Sequence, residues 1–175
     1  MTTGDGPEFA ATDTHGFQVP RLLRAAEVLC ADGRVLRGRV FLPAAAESHP
    51  GAMRAEEWIN DAVPFVPFLP DGEGRPVILN KEQITVVTVA ASADHDEAID
   101  QAGAPVRRVR VECGALRVEG DVLVDMPANH SRILDLLNRP GAFLNVREAE
   151  RHHLVCKSRI TRVSEPAADP SRPRP

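Results

Sequence analysis

Three residues near the end of the chain could bind a metal: His152, His153 and Cys156. Imidazole and thiolate are the usual ligands of zinc, which takes four of them in a closed tetrahedral site. On a strand, His152 and Cys156 share one face while His153 points the other way. The run therefore offers two ligands, and neither Cys30 nor Cys113 stands at a spacing that completes the set. We expect no metal and no cofactor, but surface histidines beside a core thiol. Nucleophilic catalysis needs a nucleophile, a base and an orienting group in contact. Cys113, His130, Ser131 and Asp135 are the right residue types, yet no nucleophile elbow or family cysteine signature surrounds them. Glu56 and Glu57 are adjacent on a helix, so their carboxylates diverge. Gly72-Glu73-Gly74, between Pro70 and Pro76, is a turn and not a phosphate-cradling loop. The expectation is a protein that is not an enzyme.

Another polar set occurs twice. Arg54-Ala55-Glu56-Glu57-Trp58-Ile59-Asn60 and Arg132-Ile133-Leu134-Asp135-Leu136-Leu137-Asn138 share the pattern Arg-x-x-acid-x-aliphatic-Asn. The match extends upstream, where Gly38-Arg39-Val40 answers Gly120-Asp121-Val122. Downstream, Phe65-Val66 answers Phe143-Leu144, and Asn80-Lys81 leads into Ile84-Thr85 as Cys156-Lys157 leads into Ile160-Thr161. Such self-similarity fixes architecture before it says anything of function. Arg54, Trp58, Arg132 and Asp135 are the candidates for a recurrent partner contact. The competing reading, which we favour, is structural: a helix-end ion pair and an Asn that stops the helix in a left-handed turn. Arg107, Arg108 and Arg110, joined by Arg132, are the candidates for binding an anion. Lys81 and Lys157 read as solvated charges ahead of the closing strand.

The elements that carry these residues are mostly strands. Ala26–Cys30 runs into Asp32-Gly33, a type I′ hairpin signal, and the chain returns as Val35–Leu42. Val109–Cys113 turns near Gly114 and returns as Leu116–Val124 with apolar and charged residues alternating, the mark of a half-buried antiparallel strand. Gly38 and Gly120 sit inside the return strands, where a glycine marks a bulge or a sharp bend. Ala55, Trp58 and Ile59, like Ile133, Leu136 and Leu137, have the spacing of one apolar helix face, and Ser131 is placed to cap the second helix. Strands follow at Phe65–Phe68, Val77–Leu79 and Ile84–Val87, and again at Phe143–Val146, His153–Cys156 and Ile160–Val163. Each unit is thus strand, strand, short helix, strand, strand, short strand.

Leu42-Pro43, the Arg-x-x-acid-x-aliphatic-Asn run, Phe65-Val66-Pro67-Phe68 and Asn80-Lys81-Glu82-Gln83-Ile84 together resemble a small bacterial domain of unknown function. Its signature is roughly Arg-Leu-Ser-Asp-x-Leu-Asn followed by Asn-Lys-x-x-Ile, and two copies would cover most of residues 25–164. The resemblance implies a fold and a bacterial cytoplasm but no reaction. A looser resemblance is to Sm-like and SH3-like small barrels. The cyclic-dinucleotide-binding PilZ domain does not fit, because its second motif needs a Gly that Asn129–Leu134 lacks. The expected fold is mainly β: two tandem homologous β-barrel-like lobes, each with one short helix. The first repeat would be residues 21–90 and the second 106–164. A flexible tail (1–20), an acidic linker (91–105) and a disordered Pro-rich tail (165–175) complete the chain.

Lobes of about 60 residues have marginal cores, so we expect them to pack on each other or on a partner. One Trp, six Phe and no Tyr argue against a base-stacking nucleic-acid surface. Residues 21–90 carry eight Lys and Arg against nine Asp and Glu, and residues 106–165 carry eleven against eight. That mild excess falls short of a dedicated nucleic-acid face. The N-terminus lacks the basic start and apolar core of a signal peptide. Three cysteines, an odd number, fit reduced thiols in the cytoplasm. No stretch reaches membrane-span length. The expected function is a non-catalytic adaptor or scaffold binding another protein through strand edges or the inter-lobe groove. The alternative is an Sm-like RNA or nucleotide binder using the basic second lobe. A homo-oligomer is compatible with either.

Overall fold

The computed structural model describes residues 21–46, 49–91, 105–124 and 132–166. The expected N-terminal tail, nearly all of the linker and C-terminal tail, and the residues His130 and Ser131 lie outside them. The chain forms β1 (Arg21–Cys30), β2 (Val35–Pro43), α1 (Ala55–Asn60), β3 (Phe65–Pro70), β4 (Val77–Asn80) and β5 (Ile84–Ala90). It continues with β6 (Val106–Cys113), β7 (Leu116–Leu123), α2 (Ile133–Leu137), β8 (Phe143–Arg147), β9 (Arg151–Cys156) and β10 (Arg162–Ser164). Short 3-10 turns, Lys81–Gln83 and Lys157–Arg159, precede β5 and β10. No described helix is long and apolar enough to cross a membrane.

The ten strands lie antiparallel in one sheet, in the order β10-β6-β7-β8-β9-β5-β1-β2-β3-β4. Residues 21–90 contribute β5-β1-β2-β3-β4 and residues 106–164 contribute β10-β6-β7-β8-β9, so one strand order is written twice. The fold is mainly β as expected, with two short helices, but the strands form one continuous, open sheet where two tandem barrel-like lobes were expected. The physical reason is β5. Its edge is filled by β9 over five residue pairs, from Val86↔Val155 to Ala90↔Arg151. Ala91 N–H to the Glu150 carbonyl, at 2.9 Å, extends the ladder.

Packing follows the same fusion. One apolar core joins Val28, Val40, Trp58, Ile59, Phe68 and Val87 to Phe143, Leu154 and Cys156 of the second half. The other joins Val109, Val111, Val122, Val146 and Val155 to Val86 of the first. Adjacent strand residues point to opposite faces, so at the junction Val87 and Leu154 serve one core while Val86 and Val155 serve the other.

Three expectations about turns and glycines change. The β1–β2 hairpin is not type I′, which needs both central residues left-handed. Gly33 alone is (φ +86°), and no described non-glycine residue has positive φ. The turn is closed by Gly33 N–H to the Cys30 carbonyl at 3.0 Å. For the same reason Asn60 and Asn138 are not left-handed stops: Asn138 has φ −84°. Gly38 and Gly120 mark close approach of the next strand rather than a bulge. A Cβ on Gly38 would lie 2.1 Å from the Leu69 carbonyl oxygen, and one on Gly120 would lie 2.5 Å from that of Arg147. Backbone cannot yield to such a contact as a flexible side-chain tip can. Gly38→Ala and Gly120→Ala should each destabilise the fold by about 2 kcal/mol or more, read as a drop in the urea midpoint. An unchanged midpoint would show that the strands part there at no cost.

Candidate functional site

The repeated residues come first, because their contacts repeat as well. Lys81 Nζ donates to the Asp61 carbonyl at 2.9 Å and to the Trp58 carbonyl at 3.1 Å. Lys157 Nζ donates to the Arg139 carbonyl at 2.9 Å. The backbone amides of the two lysines bond the Pro64 carbonyl at 2.9 Å and the Ala142 carbonyl at 2.8 Å. Each lysine thus ties the end of its helix to the strand that follows, satisfying carbonyls a helix end leaves orphaned. Lys81 is buried, so it is not the solvated charge expected from sequence. Burial pushes both ammonium groups below the ordinary lysine range, and at Lys157 the Arg139 charge adds to the effect.

Arg54 and Arg132 are the N-cap residues of α1 and α2. What links Arg54 to Glu57 is the Arg54 backbone N–H, which Glu57 Oε2 accepts at 2.9 Å; His49 Nε2 meets the same oxygen at 2.9 Å. Asp135 donates its backbone N–H to the Arg132 carbonyl at 3.1 Å. Trp58 is buried, so it packs the core and is not open to a surface contact. The two helix motifs head separate helices and form no common site. Arg108 and Arg110 share one face of β6 and Arg107 lies on the other; Arg108 pairs with Asp121 at 3.4 Å and Arg110 with Glu119 at 2.5 Å across the β6–β7 ladder. Carboxylates so placed offset the charge available to a phosphate.

The His-Cys run divides as its strand demands. Cys156 and His152 are both buried on the Leu154 side, so His152 is not the surface histidine expected. Among the described residues no three His, Cys, Asp or Glu side chains converge to hold a metal. All three thiols are free. Burial pushes the Cys113 thiol up, with Cys156 adding to it, and burial with Asp32 raises Cys30. A raised thiol holds little thiolate and is a poor nucleophile.

His153 faces the other way, into a groove of about 940 Å³ that spans the β5–β9 junction. Its floor includes Leu29, Val86, Leu116 and Val118; its rim carries Glu27, Asp71, Glu119, Glu148 and Glu150 against Arg37, Arg117 and Arg151. Thr88 and His153 are direct cross-strand partners. Thr88 Oγ1 lies 3.0 Å from His153 Nδ1, and His153 Nε2 lies 3.3 Å from Glu148 Oε2. In the neutral tautomer, the hydroxyl donates to Nδ1 and Nε2–H donates to the carboxylate. Sequence reading missed this array because Thr88, Glu148 and His153 share no local motif; only the β5–β9 register assembles them.

A hydroxyl–imidazole–carboxylate line is the skeleton of nucleophilic catalysis. Acyl transfer also needs donors for the oxyanion, and Thr88 sits mid-strand between β1 and β9. Ladders on both sides engage its neighbours' amides. The line ties β5 to β9 across the ladder under the groove. Thr88→Val, which keeps the shape and removes the hydroxyl, should cost about 1 kcal/mol by urea unfolding followed through Trp58 fluorescence. A fluorophosphonate hydrolase probe should leave the native protein unlabelled, and covalent labelling of Thr88 would contradict this account. No family model matches the chain, and neither a curated protein nor a solved structure matches it.

Proposed function

We propose that this protein is a non-catalytic adaptor that holds an extended segment of a partner protein in the groove across the β5–β9 junction. The reading includes a finer view of the fold. The chain is a duplicated β unit, residues 21–90 and 106–164, each akin to a small barrel left open where the two fuse. The observation that carries the proposal is the groove itself. It has an apolar floor drawn from both halves and, with Glu27 paired to Arg37 and Glu119 to Arg110, a rim that keeps Asp71, Glu148 and Glu150 against Arg117 and Arg151. That balance suits an apolar segment bearing Lys or Arg.

The alternative is an RNA or nucleotide bound through Arg107, Arg108, Arg110 and Arg132. Cross-strand pairing of Arg108 and Arg110 to carboxylates favours the protein partner, as does the acidic rim. Salt separates the two, since phosphate contacts release counterions and weaken steeply with ionic strength.

Capture from nuclease-treated lysate should be compared between wild type and an Ala25→Arg/Glu150→Arg variant. Ala25 and Glu150 are exposed groove residues, so the fold should survive. A partner retained by wild type after nuclease and lost from the variant is the expected outcome. A partner captured equally by both, or material lost on nuclease treatment and on Arg108→Ala/Arg110→Ala, would overturn the reading.

A further inference from the structure

The joint between the two halves is made of strands whose counterparts, among the described residues, stand at the two ends of the sheet with no further strand beside them. Within the chain, the fifth strand of the first half (β5) pairs with the fourth strand of the second (β9). At the free edges stand the fifth strand of the second half (β10) and the fourth strand of the first (β4). We propose that a second copy of this chain docks there, β4 of one against β10 of the next, reusing the internal joint head to tail. The proposal goes beyond the groove reading and does not depend on it.

The internal joint has a second component, and it has an unfilled counterpart too. Asn60, at the end of α1, accepts the Phe143 N–H at 2.8 Å and donates to the Phe143 carbonyl at 3.2 Å. β7 pairs with β8 only at Asp121↔Arg147, so the amide of Asn60 stands in for a missing strand. The repeat places Asn138 where Asn60 is and Phe65 where Phe143 is. β2 pairs with β3 only from Val40↔Phe68 to Gly38↔Pro70, leaving Phe65 beyond the ladder as Phe143 is.

Burial separates the filled joint from the vacant one. Phe143 is 5% exposed and Leu154 1%; their counterparts Phe65 and Ile78 are 53% and 66% exposed. α1 buries Ala55, Trp58 and Ile59, whereas α2 buries none of its residues. Ile133, Leu136, Leu137 and Val163 lie half-buried against the second core, where the repeat would bring Phe65 and Ile78 of the next copy. A hollow of about 440 Å³ lined by Leu36, Val77, Ile78 and Leu79 runs beside the vacant β4 edge.

One pair of positions changes in concert. In the internal joint the Glu56 carboxylate accepts from the Asn145 side-chain amide. The corresponding residues at the vacant joint are Leu134, 64% exposed, and Pro67: an apolar pair in place of a polar one. The vacant joint is also shorter. Pro76 and Pro166 stand where His152 and Ala90 stand internally, and proline cannot donate to a ladder. Pairing is thereby confined to Val77–Leu79 against Arg162–Ser164, so the contact should be reversible and concentration-dependent. Such an interface joins two different surfaces, giving a ring if its rotation closes and a filament if it does not.

Sedimentation velocity of the full chain over a concentration series tests this. Wild type should run above the monomer mass as concentration rises. Phe65→Asp/Ile78→Lys should abolish association from one side, and Leu134→Arg/Asn138→Ala from the other; all four residues are exposed, and circular dichroism checks that the sheet is retained. Each variant alone should be monomeric. Their mixture should form a dimer and stop, because each supplies the surface the other has lost. A wild type that stays monomeric into the millimolar range, association untouched by either variant, or variants that fail to complement would overturn the proposal.

Discussion

The pairing of β5 with β9 is the constraint on which the rest of this molecule rests. It turns two sets of five strands into one sheet and lets each half complete the core of the other. A chain segment of about 60 residues buries only some 60% of its unfolded surface and is marginal by itself. Here Phe143, Leu154 and Cys156 fill the core beneath α1, and Val86 crosses into the other. Asn60 reinforces the joint at its far end. Its amide supplies both halves of a backbone pairing to Phe143, worth about 1 kcal/mol per bond.

Two classes of contact sit on that frame. The first is duplicated: the glycine beneath the next strand's carbonyl, the lysine amine on the helix-end carbonyl, the lysine amide on the carbonyl ahead of the following strand. These contacts bring the next strand close over each glycine and seat each helix end, and their residues recur in both halves. The second class occurs once. Thr88, His153 and Glu148 form their line only because β5 and β9 meet, and the groove above them draws its walls from both halves. The framework contacts are repeated, whereas this line and the groove above it are not.

Much of the frame was legible in the sequence because it follows local period. Alternation in Val109–Cys113 and Leu116–Val124, and the one-sided apolar spacing of Ala55, Trp58 and Ile59, located strands and helices to within a few residues. Long-range side-chain-to-backbone contacts were not legible. Asn60 and Phe143 are 83 residues apart, and nothing near Asn60 distinguishes a strand-mimicking amide from a helix stop. Lys81 looked solvated because charge normally is; only the carbonyls converging on it make its burial tolerable. The groove was equally hidden, since register across β5 and β9 is a property of the fused sheet and not of either strand.

Native-state hydrogen exchange across a urea series probes the fusion most directly. If the two halves are one cooperative unit, amides of β5 and β9 should exchange with the same free energy and urea dependence as core amides of β1 and β6, all tracking global unfolding. Fast exchange of β5 and β9 by a low-energy opening, with β1 and β6 still protected and unfolding separately, would show that the junction is incidental and would contradict the account.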